Sequence, residues 1–278
     1  MIKEFAVDPE ALANWEDCRF ITSLFGAGNG RVISNYPKRW KRMAFDAATK
    51  VASTMDRKRI EVRLARLDKT VLLQGGRPAG ESDQWLDNAL AEHKRLPFSS
   101  IISMETKDDI IAISDIDETI EPFAVTRGIT IERNAEAMVD AINIIFQAGT
   151  HYKFIDPFFT PTRNHIRPLK CFIERISSRK VSSKGVIIEI VSKAEENAED
   201  DERFEHNIRA SVEDFLPEDM ELKISLFPEA RMHDRWVLSD WCGVSFGHGF
   251  GEGGNRPTVN LLLLDEATRR QHWNEFSR

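Results

Sequence analysis

The sequence has few cysteines and no long apolar segment, and both absences exclude classes of protein. The three cysteines, Cys18, Cys171 and Cys242, stand far apart, which argues against a disulfide framework or a zinc site and favours a reducing compartment. No stretch approaches the roughly 18 apolar residues of a transmembrane helix, and the first residues, 1–5, lack the apolar core of a signal peptide. We therefore expect a soluble, cytoplasmic protein.

The sequence also lacks an excess of positive charge. It carries 38 Lys and Arg against 45 Asp and Glu, a net charge of −7, so a uniformly basic nucleic-acid coat is excluded, whereas a local basic patch is not. A chain of 278 residues forms one large domain or two. The change of pattern after the acidic segment 115–118 favours two, with an N-terminal accessory domain over 1–122 and a second domain over 123–278.

The first domain mixes helical and strand patterns. Apolar residues recur at three- and four-residue steps from Ile60 to Val71, which predicts a helix, and a second helix follows Ser82. The segments 98–104 and 110–113 predict strands joined by a turn over 107–109. We classify this domain as α+β and expect it to supply substrate choice or a surface for a protein partner.

Two polar segments of the first domain have alternative interpretations. The glycine-rich segment Gly26–Arg31 lacks the Gly-Lys-Ser/Thr ending of a phosphate-binding P-loop, so an ordinary turn is preferred. The segment Pro37–Arg42 places four basic residues around Trp40, a composition that suits contact with nucleic acid or an acidic partner. A solvated helix face with one anchoring tryptophan is the simpler interpretation, and we prefer it.

The second domain follows the pattern of a mixed β-sheet flanked by helices, within the α/β class. An apolar strand beginning at His151, a helix over 166–177 and a strand over 186–191 make a βαβ unit. The first of these strands ends in Asp156-Pro157. Ligands in α/β sheets gather at the carboxyl ends of strands, so Asp156 is a candidate substrate-binding residue. A turn that only ends the strand is the alternative.

The residues with the most chemistry lie between Arg231 and Phe250. His233 and Arg235 stand two apart before an apolar run, so on a strand their side chains face the same side. A planar guanidinium beside an imidazole suits a phosphate group. Asp240 ends this strand, and a returning strand over 244–246 completes a β-hairpin that presents polar groups at one end.

This spacing resembles a known motif. The pattern His-x-Arg-x-x-x-x-Asp, with a glycine seven residues further on, is similar to the HKD motif of the phospholipase D superfamily. The triplet at His233, with Gly-x-Gly-Phe downstream, resembles a divergent single-motif branch. That branch includes the C-terminal domain of MIT-domain proteins and bacterial conflict-system proteins. Asp156-Pro157 with its two phenylalanines is similar to the first strand of the same branch. Arg235 replaces the lysine of the enzymes, and the segment 248–250 replaces their Ser and Asn.

The resemblance implies a metal-independent phosphodiesterase, specifically a nuclease in bacterial defence. His233 would be the nucleophile that forms a phosphohistidine, Arg235 would neutralise the phosphoryl oxygens, and Asp240 would orient an imidazole or the cation. Superfamily enzymes use two motifs per site, so a homodimer with a composite site is implied; His248 is the alternative second imidazole. No metal or cofactor is expected. The predicted substrate-binding residues are Asp156, Gly247, Gly249 and Asn255.

Two other functions stay open beside the enzyme. The first is a phosphate-binding module that has lost turnover and recognises a phospholipid headgroup or a nucleic-acid backbone. Arg235 and the Gly-His-Gly-Phe segment favour it, since the resemblance to MIT-type domains implies phosphoinositide binding. The second is a structural hairpin whose His233 and Arg235 are held by acidic neighbours such as Asp234. Retention of Asp240 favours the enzyme, and nucleic acid is preferred to membrane phospholipid as its substrate.

Overall fold

The computed structural model describes residues 1–107, 109–179, 181–182 and 184–277. The chain divides into two compact units, Ile2–Thr126 and Arg127–Arg278, with Met1 grouped with the second. Both units combine helices with a β-sheet, which confirms the α/β class. None of the described helices has the length and apolar character that crossing a membrane requires.

The N-terminal unit is built on five parallel strands in the order β3-β2-β1-β4-β5. The strands are β1 (Lys3–Val7), β2 (Arg31–Ser34), β3 (Leu72–Leu73), β4 (Ser100–Ser103) and β5 (Ile110–Ala112). The helices are α1 (Trp15–Leu24), α2 (Trp40–Val51), α3 (Thr54–Ala65) and α4 (Trp85–Arg95). Short 3-10 helices span Pro9–Leu12, Ala27–Asn29 and Ile113–Asp115.

Parallel strands with helices in the connections from β1 to β4 are an α/β architecture, so the α+β expectation for this unit is wrong. The strands span two to five residues, too few for hydrophobic periodicity to separate a buried strand from a loop. The two strands predicted in this unit are present as β4 and β5, and they pair in parallel. The predicted turn over 107–109 includes Asp108, which lies outside the described residues.

The two polar segments of this unit have structural explanations. Gly26 donates its backbone N–H to the carbonyl of Arg31 at 2.7 Å, and Gly30 has a φ of 74°, so this segment is a turn that leads into β2. Trp40 is fully buried, and its Nε1 donates to the Val7 carbonyl at 2.6 Å. The tryptophan therefore anchors α2 to the end of β1.

The C-terminal unit is built on a mixed sheet of seven strands in the order β6-β12-β11-β10-β7-β8-β9. The strands are β6 (Gly128–Glu132), β7 (His151–Ile155), β8 (Val186–Lys193), β9 (Met220–Phe227), β10 (Trp236–Ser239), β11 (Gly243–Phe246) and β12 (Thr258–Leu263). The helices are α5 (Ala135–Ala141), α6 (Arg163–Ser177), α7 (Ala198–Val212) and α8 (Glu266–Glu275). Short 3-10 helices span Asn143–Gln147 and Glu229–Arg231.

Strand direction divides this sheet into two parts. β7, β8 and β9 are parallel to one another, and the four strands from β10 to β6 join on as antiparallel neighbours. The predicted βαβ unit is present as β7, α6 and β8, and the predicted hairpin is present as β10 and β11. Because β10 lies directly beside β7, the hairpin and the βαβ unit form one continuous sheet.

A buried charged cluster crosses the parallel strands. The Glu189 side chain has no exposed surface, receives hydrogen bonds from His151 Nε2 at 2.7 Å and Ser225 Oγ at 2.6 Å, and lies 3.5 Å from Lys153 Nζ. Burial by itself would raise the pKa of Glu189, but these hydrogen bonds and the charges of Lys153 and Lys223 outweigh it and lower the pKa to about 2. His151 and Lys153 are thus engaged by a structural carboxylate.

We predict that Glu189→Gln lowers the free energy of unfolding by about 3 to 5 kcal/mol at neutral pH, because it leaves Lys153 buried without its counter-charge. In the wild type this contribution is present above pH 4.5 and is lost as pH falls toward 2, since the folded-state pKa is depressed from 4.5 to about 2. Urea denaturation measures both effects. The control is Glu174→Gln, which removes an exposed carboxylate 3.9 Å from Lys170 and should cost under about 1 kcal/mol. Equal losses for the two variants would contradict the prediction.

Candidate functional site

Charged side chains collect at one end of the C-terminal sheet, the end at which β7 finishes. β10 pairs antiparallel with both β7 and β11, with Trp236 opposite Ile155 and Ser245. The residue after β7, the residue before β10 and the residues after β11 therefore meet at the same end. They are Asp156, Arg235 and Gly247–Phe250. The pairing of β12 with β11 and β6 adds Arg256 and Arg133. We name this end the site edge.

Asp156 is the buried carboxylate of the site edge. It is 2% exposed, its Oδ1 accepts the Phe158 N–H at 2.9 Å, and the Phe250 N–H also bonds to it. The Nε of Arg235 lies 3.9 Å from Oδ1. Burial raises the pKa of Asp156, while these hydrogen bonds and the charges of Arg235 and Arg133 oppose the rise. Asp156 therefore ties the start of β10 and the loop after β11 to the end of β7.

The loop after β11 passes so close to Asp156 that no side chain fits at position 249. Gly249 has a φ of +76°, and a Cβ atom there would lie 2.2 Å from Asp156 Oδ2. Arg133 holds the same loop, since its Nε donates to the Gly251 carbonyl at 2.7 Å and its Nη2 to the His248 carbonyl at 2.8 Å. Gly247 donates its N–H to the Asn260 carbonyl of β12 at 3.0 Å. Hydrogen bonds from Arg133 and to Asn260 thus fix the backbone path of this loop.

Three guanidinium groups act on the imidazole of His248, which is exposed. Arg256 contacts His248 Nε2 directly. Loss of hydration lowers the pKa of His248, and the charges of Arg256, Arg133 and Arg235 lower it further. We name Arg133, Arg235 and Arg256 the arginine cluster. Like charges repel one another, so a cluster beside a single neutralising carboxylate suits the binding of an anion.

Arg235 is held on two sides. Its guanidinium carbon lies 4.9 Å from the ring centroid of Phe158, which is 56% exposed, and its Nε faces Asp156. The cation–π contact and the carboxylate restrict the guanidinium before any ligand arrives. Its carboxylate neighbour is Asp156 and not the exposed Asp234, the partner expected for a purely structural hairpin.

His165, near the start of α6, is a site residue that the sequence analysis missed. Its Nε2 lies 4.0 Å from Asp156 Oδ2, its Nδ1 is 3.1 Å from Thr160 Oγ1, and its ring packs against Phe159 at 5.1 Å between centroids. Burial, followed by the charge of Arg133, lowers the pKa of His165 to about 4. The only signal in the sequence was its position in the helix that follows Asp156-Pro157.

His233 precedes β10 and is not part of it. The strand begins at Trp236, and the ladder with β11 ends where the Arg235 carbonyl accepts the Phe246 N–H at 2.8 Å. The prediction that the His233 and Arg235 side chains face the same side of a strand is therefore wrong, because both residues precede the strand. His233 lies two residues before Arg235 and His248 lies two residues after Phe246. Both histidines are therefore at the same end of the hairpin. His233 is exposed and has no hydrogen bond or ion pair within the described ranges.

Asp240 lies at the opposite end of β10 from Arg235. Its carboxylate accepts the Thr150 Oγ1 hydroxyl at 2.7 Å, and its N–H donates to the His151 carbonyl at 3.1 Å. The four residues of β10 stand between Asp240 and Arg235, and each residue of a strand advances the chain by about 3.3 Å. The structure therefore does not bring Asp240 to the arginine cluster. Asn255, which precedes Arg256, is exposed at the site edge.

Comparisons with known proteins place the chain in no family. No protein-family model and no curated protein matches it. A solved structure of TrmBL2, described as an archaeal chromatin protein with a novel mode of DNA binding, has 10% identity and a TM-score of 0.29, covering 56% of this chain and 53% of that chain. The chain thus spans about half the length of TrmBL2. A likeness at this level carries no argument about function.

The structure offers no cluster of metal ligands in the part of the chain that it describes. No group of three or more His, Cys, Asp or Glu side chains there has an arrangement able to hold a metal ion. Arginine and histidine side chains and the carboxylate of Asp156 are the groups gathered at the site edge.

We predict that Gly249→Ala destabilises the protein more than Gly253→Ala does. Both glycines have positive φ, +76° and +74°, but a Cβ at Gly253 meets nothing within 4 Å, whereas at Gly249 it meets Asp156. The conformational strain common to both variants costs about 1 kcal/mol, and the Gly249 variant should lose about 2 to 3 kcal/mol in all. Chemical denaturation measures the difference. Equal losses would show that the close approach to Asp156 does not constrain the loop.

We predict that His165 makes stability fall as pH falls from 6.5 to 4. Its pKa is lowered from 6.5 to about 4 in the folded protein, so between these values the unfolded chain binds a proton that the folded chain does not. The slope reaches at most about 1.4 kcal/mol per pH unit. Thermal unfolding of His165→Gln across this range should show a shallower dependence than the wild type. His206→Gln, which alters an exposed histidine of α7, is the control, and identical slopes for wild type and His165→Gln would refute the prediction.

Proposed function

We propose that the C-terminal unit is a phospholipase D-like phosphodiesterase that acts without a metal ion, with a nucleic acid as its substrate. The observation that carries this proposal is the arginine cluster beside His248. Three guanidinium groups, a lowered imidazole pKa and one buried carboxylate at the end of a sheet provide the electrostatics that a phosphodiester requires.

Substrate binding follows from the geometry of the cluster. A phosphodiester carries one negative charge on two non-bridging oxygens, and a guanidinium binds two such oxygens with parallel N–H donors. Phe158 and Asp156 restrict Arg235 in advance, so little conformational freedom is lost when the anion binds. The loop at Gly247–Gly251 has its path fixed by Arg133, which keeps the exposed His248 beside the bound phosphate.

The chemical step is assigned to His233. Its imidazole attacks phosphorus, a nitrogen–phosphorus bond forms, and one phosphorus–oxygen ester bond breaks as the leaving oxygen takes a proton from an acid. Water then attacks the phosphohistidine, gives up a proton to a base, and releases His233. The arginine cluster stabilises the negative charge that develops on the phosphoryl oxygens in both steps.

We propose a homodimer because the first step needs an acid that protonates the leaving oxygen. His248 has a lowered pKa and the lone pair of its Nε2 faces the Arg256 guanidinium, so it is poorly suited to protonate the leaving oxygen of the first step. In a two-fold dimer the exposed His233 side chains of two copies meet, one as nucleophile and the other as acid.

A second candidate function is binding of a phosphodiester without turnover. It is favoured by the position of Asp240, which bonds to Thr150 at the far end of β10 and so cannot orient His233 or Arg235. In this case the arginine cluster recognises a nucleic-acid backbone or a phospholipid headgroup and the exposed His233 has no chemical role.

We predict that the protein hydrolyses a chromogenic phosphodiester, or single- or double-stranded DNA or RNA, in the presence of EDTA. His233→Ala should lower the rate by at least about 100-fold by removing the nucleophile. Arg235→Gln should lower it about 100- to 1,000-fold by removing charge stabilisation. His206→Ala, on the surface of α7, is the matched control, and sedimentation velocity measures the oligomeric state in the same buffer.

Binding measured on the same variants separates the two candidates. Fluorescence anisotropy with a labelled oligonucleotide should show a loss of about 10- to 100-fold for Arg235→Gln or Arg256→Gln. Such losses with no hydrolysis of any substrate would replace the enzyme by the binding module. Neither hydrolysis nor arginine-dependent binding, in a folded protein, would overturn both.

A further inference from the structure

The topology of the N-terminal unit produces a switch point beside its central strand. The chain leaves the central strand β1 toward β2 and β3 on one side and then crosses to β4 and β5 on the other. The connections that follow β1 and β4 therefore diverge at the carboxyl ends of these strands. In open parallel sheets this switch point leaves a crevice, and ligands bind in it.

A crevice is present at this place. A cavity of about 660 Å³ lies over the carboxyl ends of β1 and β4, with Asp8 and Ser103 in its wall, which is within the range of about 300 to 1,000 Å³ typical of small-molecule sites. A second cavity of about 610 Å³ adjoins it and shares Arg39 and Trp85 with it. The first cavity therefore lies where the strand order predicts a crevice.

One face of α2 supplies positive charge to the crevice. Arg39, just before the helix, and Arg42 and Lys50 within it all line the cavity, because residues three, four, seven or eleven apart lie on the same side of a helix. All three are exposed. Arg42 pairs with Asp46 at 2.9 Å, whereas the side chains of Arg39 and Lys50 have no hydrogen bond or ion pair among the residues that the structure describes. Arg39 is thus available for an anionic group, and Arg42, one turn further along the helix and exposed, can exchange Asp46 for the same group. Lys50 lies eleven residues from Arg39, about 16 Å along the helix axis, and does not reach that group.

The remaining walls suit a sugar and a base. Asp8 accepts the Ser103 hydroxyl at 2.7 Å and the Glu10 N–H at 3.0 Å, which holds the carboxylate across β1 and β4 with lone pairs left for sugar hydroxyls. Trp85 is 8% exposed and has its indole nitrogen engaged by the Tyr36 carbonyl at 2.9 Å, so its ring contributes an apolar wall to the cavity.

We propose that this crevice binds a mononucleotide, with its phosphate on Arg39 and Arg42, its sugar near Asp8 and its base toward Trp85. Inorganic phosphate would use only the basic wall of a cavity of this size. A dinucleotide requires glycines in the turn after the first strand so that a pyrophosphate can approach the backbone. This turn reads Asp8-Pro9-Glu10 and has none. The glycine-rich segment Gly26–Arg31 does not replace it, because it precedes β2 and so lies at the amino end of that strand.

Isothermal titration of the full-length protein with AMP, ATP, GMP and GTP tests the proposal, with inorganic phosphate and adenosine as partial probes. At least one nucleotide should bind with a Kd in the micromolar range, and phosphate or adenosine alone at least about 100-fold more weakly. The double variant Arg39→Gln/Arg42→Gln should weaken nucleotide binding by at least about 10-fold. Arg19→Gln is the matched control, since Arg19 is exposed on α1, lies outside the cavity wall and pairs with Glu16.

Three outcomes would overturn the proposal, and none of them depends on hydrolysis by the C-terminal unit. The first is that no nucleotide binds at millimolar concentration. The second is that binding is the same in the wild type and the Arg39/Arg42 variant, with both folded by circular dichroism. The third is that Arg235→Gln abolishes binding, which would place the nucleotide in the arginine cluster.

Discussion

The carboxylate of Asp156 is the constraint on which the site edge depends. It is buried at the end of β7 and receives backbone hydrogen bonds from the segments of Phe158 and Phe250, and it faces the guanidinium of Arg235. The loop after β11 approaches it so closely that Gly249 admits no Cβ atom. A single buried charge therefore positions residues from three parts of the chain. The arginine cluster is compatible with folding because this carboxylate offsets part of its mutual repulsion.

The C-terminal sheet contains two buried carboxylates with opposite properties. Glu189 has hydrogen bonds from two side chains and two lysine charges, and its pKa is lowered to about 2. Asp156 also has two hydrogen bonds and two arginine charges, but Arg235 Nε stands 3.9 Å away, and burial outweighs these contacts so that its pKa is raised. A fully compensated carboxylate stabilises a sheet. An incompletely compensated one beside excess cations is typical of a site that awaits a ligand.

The parts of the site that lie within one hairpin and one strand end could be predicted from the sequence. The hairpin at Trp236–Phe246 follows from a short apolar run, a turn and a second run, and Asp156 follows from the Asp-Pro that ends β7. Arg133 and Arg256 could not be found in this way, because they flank β6 and β12 and only strand register brings them together. His165 could not be found either, because it reaches Asp156 from the helix α6. Asp240 was predicted as a site residue because it is near Arg235 in sequence, but the whole of β10 separates the two residues. The parallel sheet of the N-terminal unit was missed because its strands are too short for periodicity to identify.

Protonation, more than geometry, decides whether the arginine cluster can support turnover. Cations that hold a phosphodiester also lower the pKa of any nearby imidazole, as they do for His248, and a neutral imidazole cannot protonate a leaving oxygen. The acid must therefore stand farther from the guanidiniums than the group that binds beside them. In the proposed mechanism this acid is the exposed His233 of a second copy, because His248 stands among the three arginines. The proposed hydrolysis would thus require a second copy of the chain, whereas the proposed binding of a phosphodiester would not.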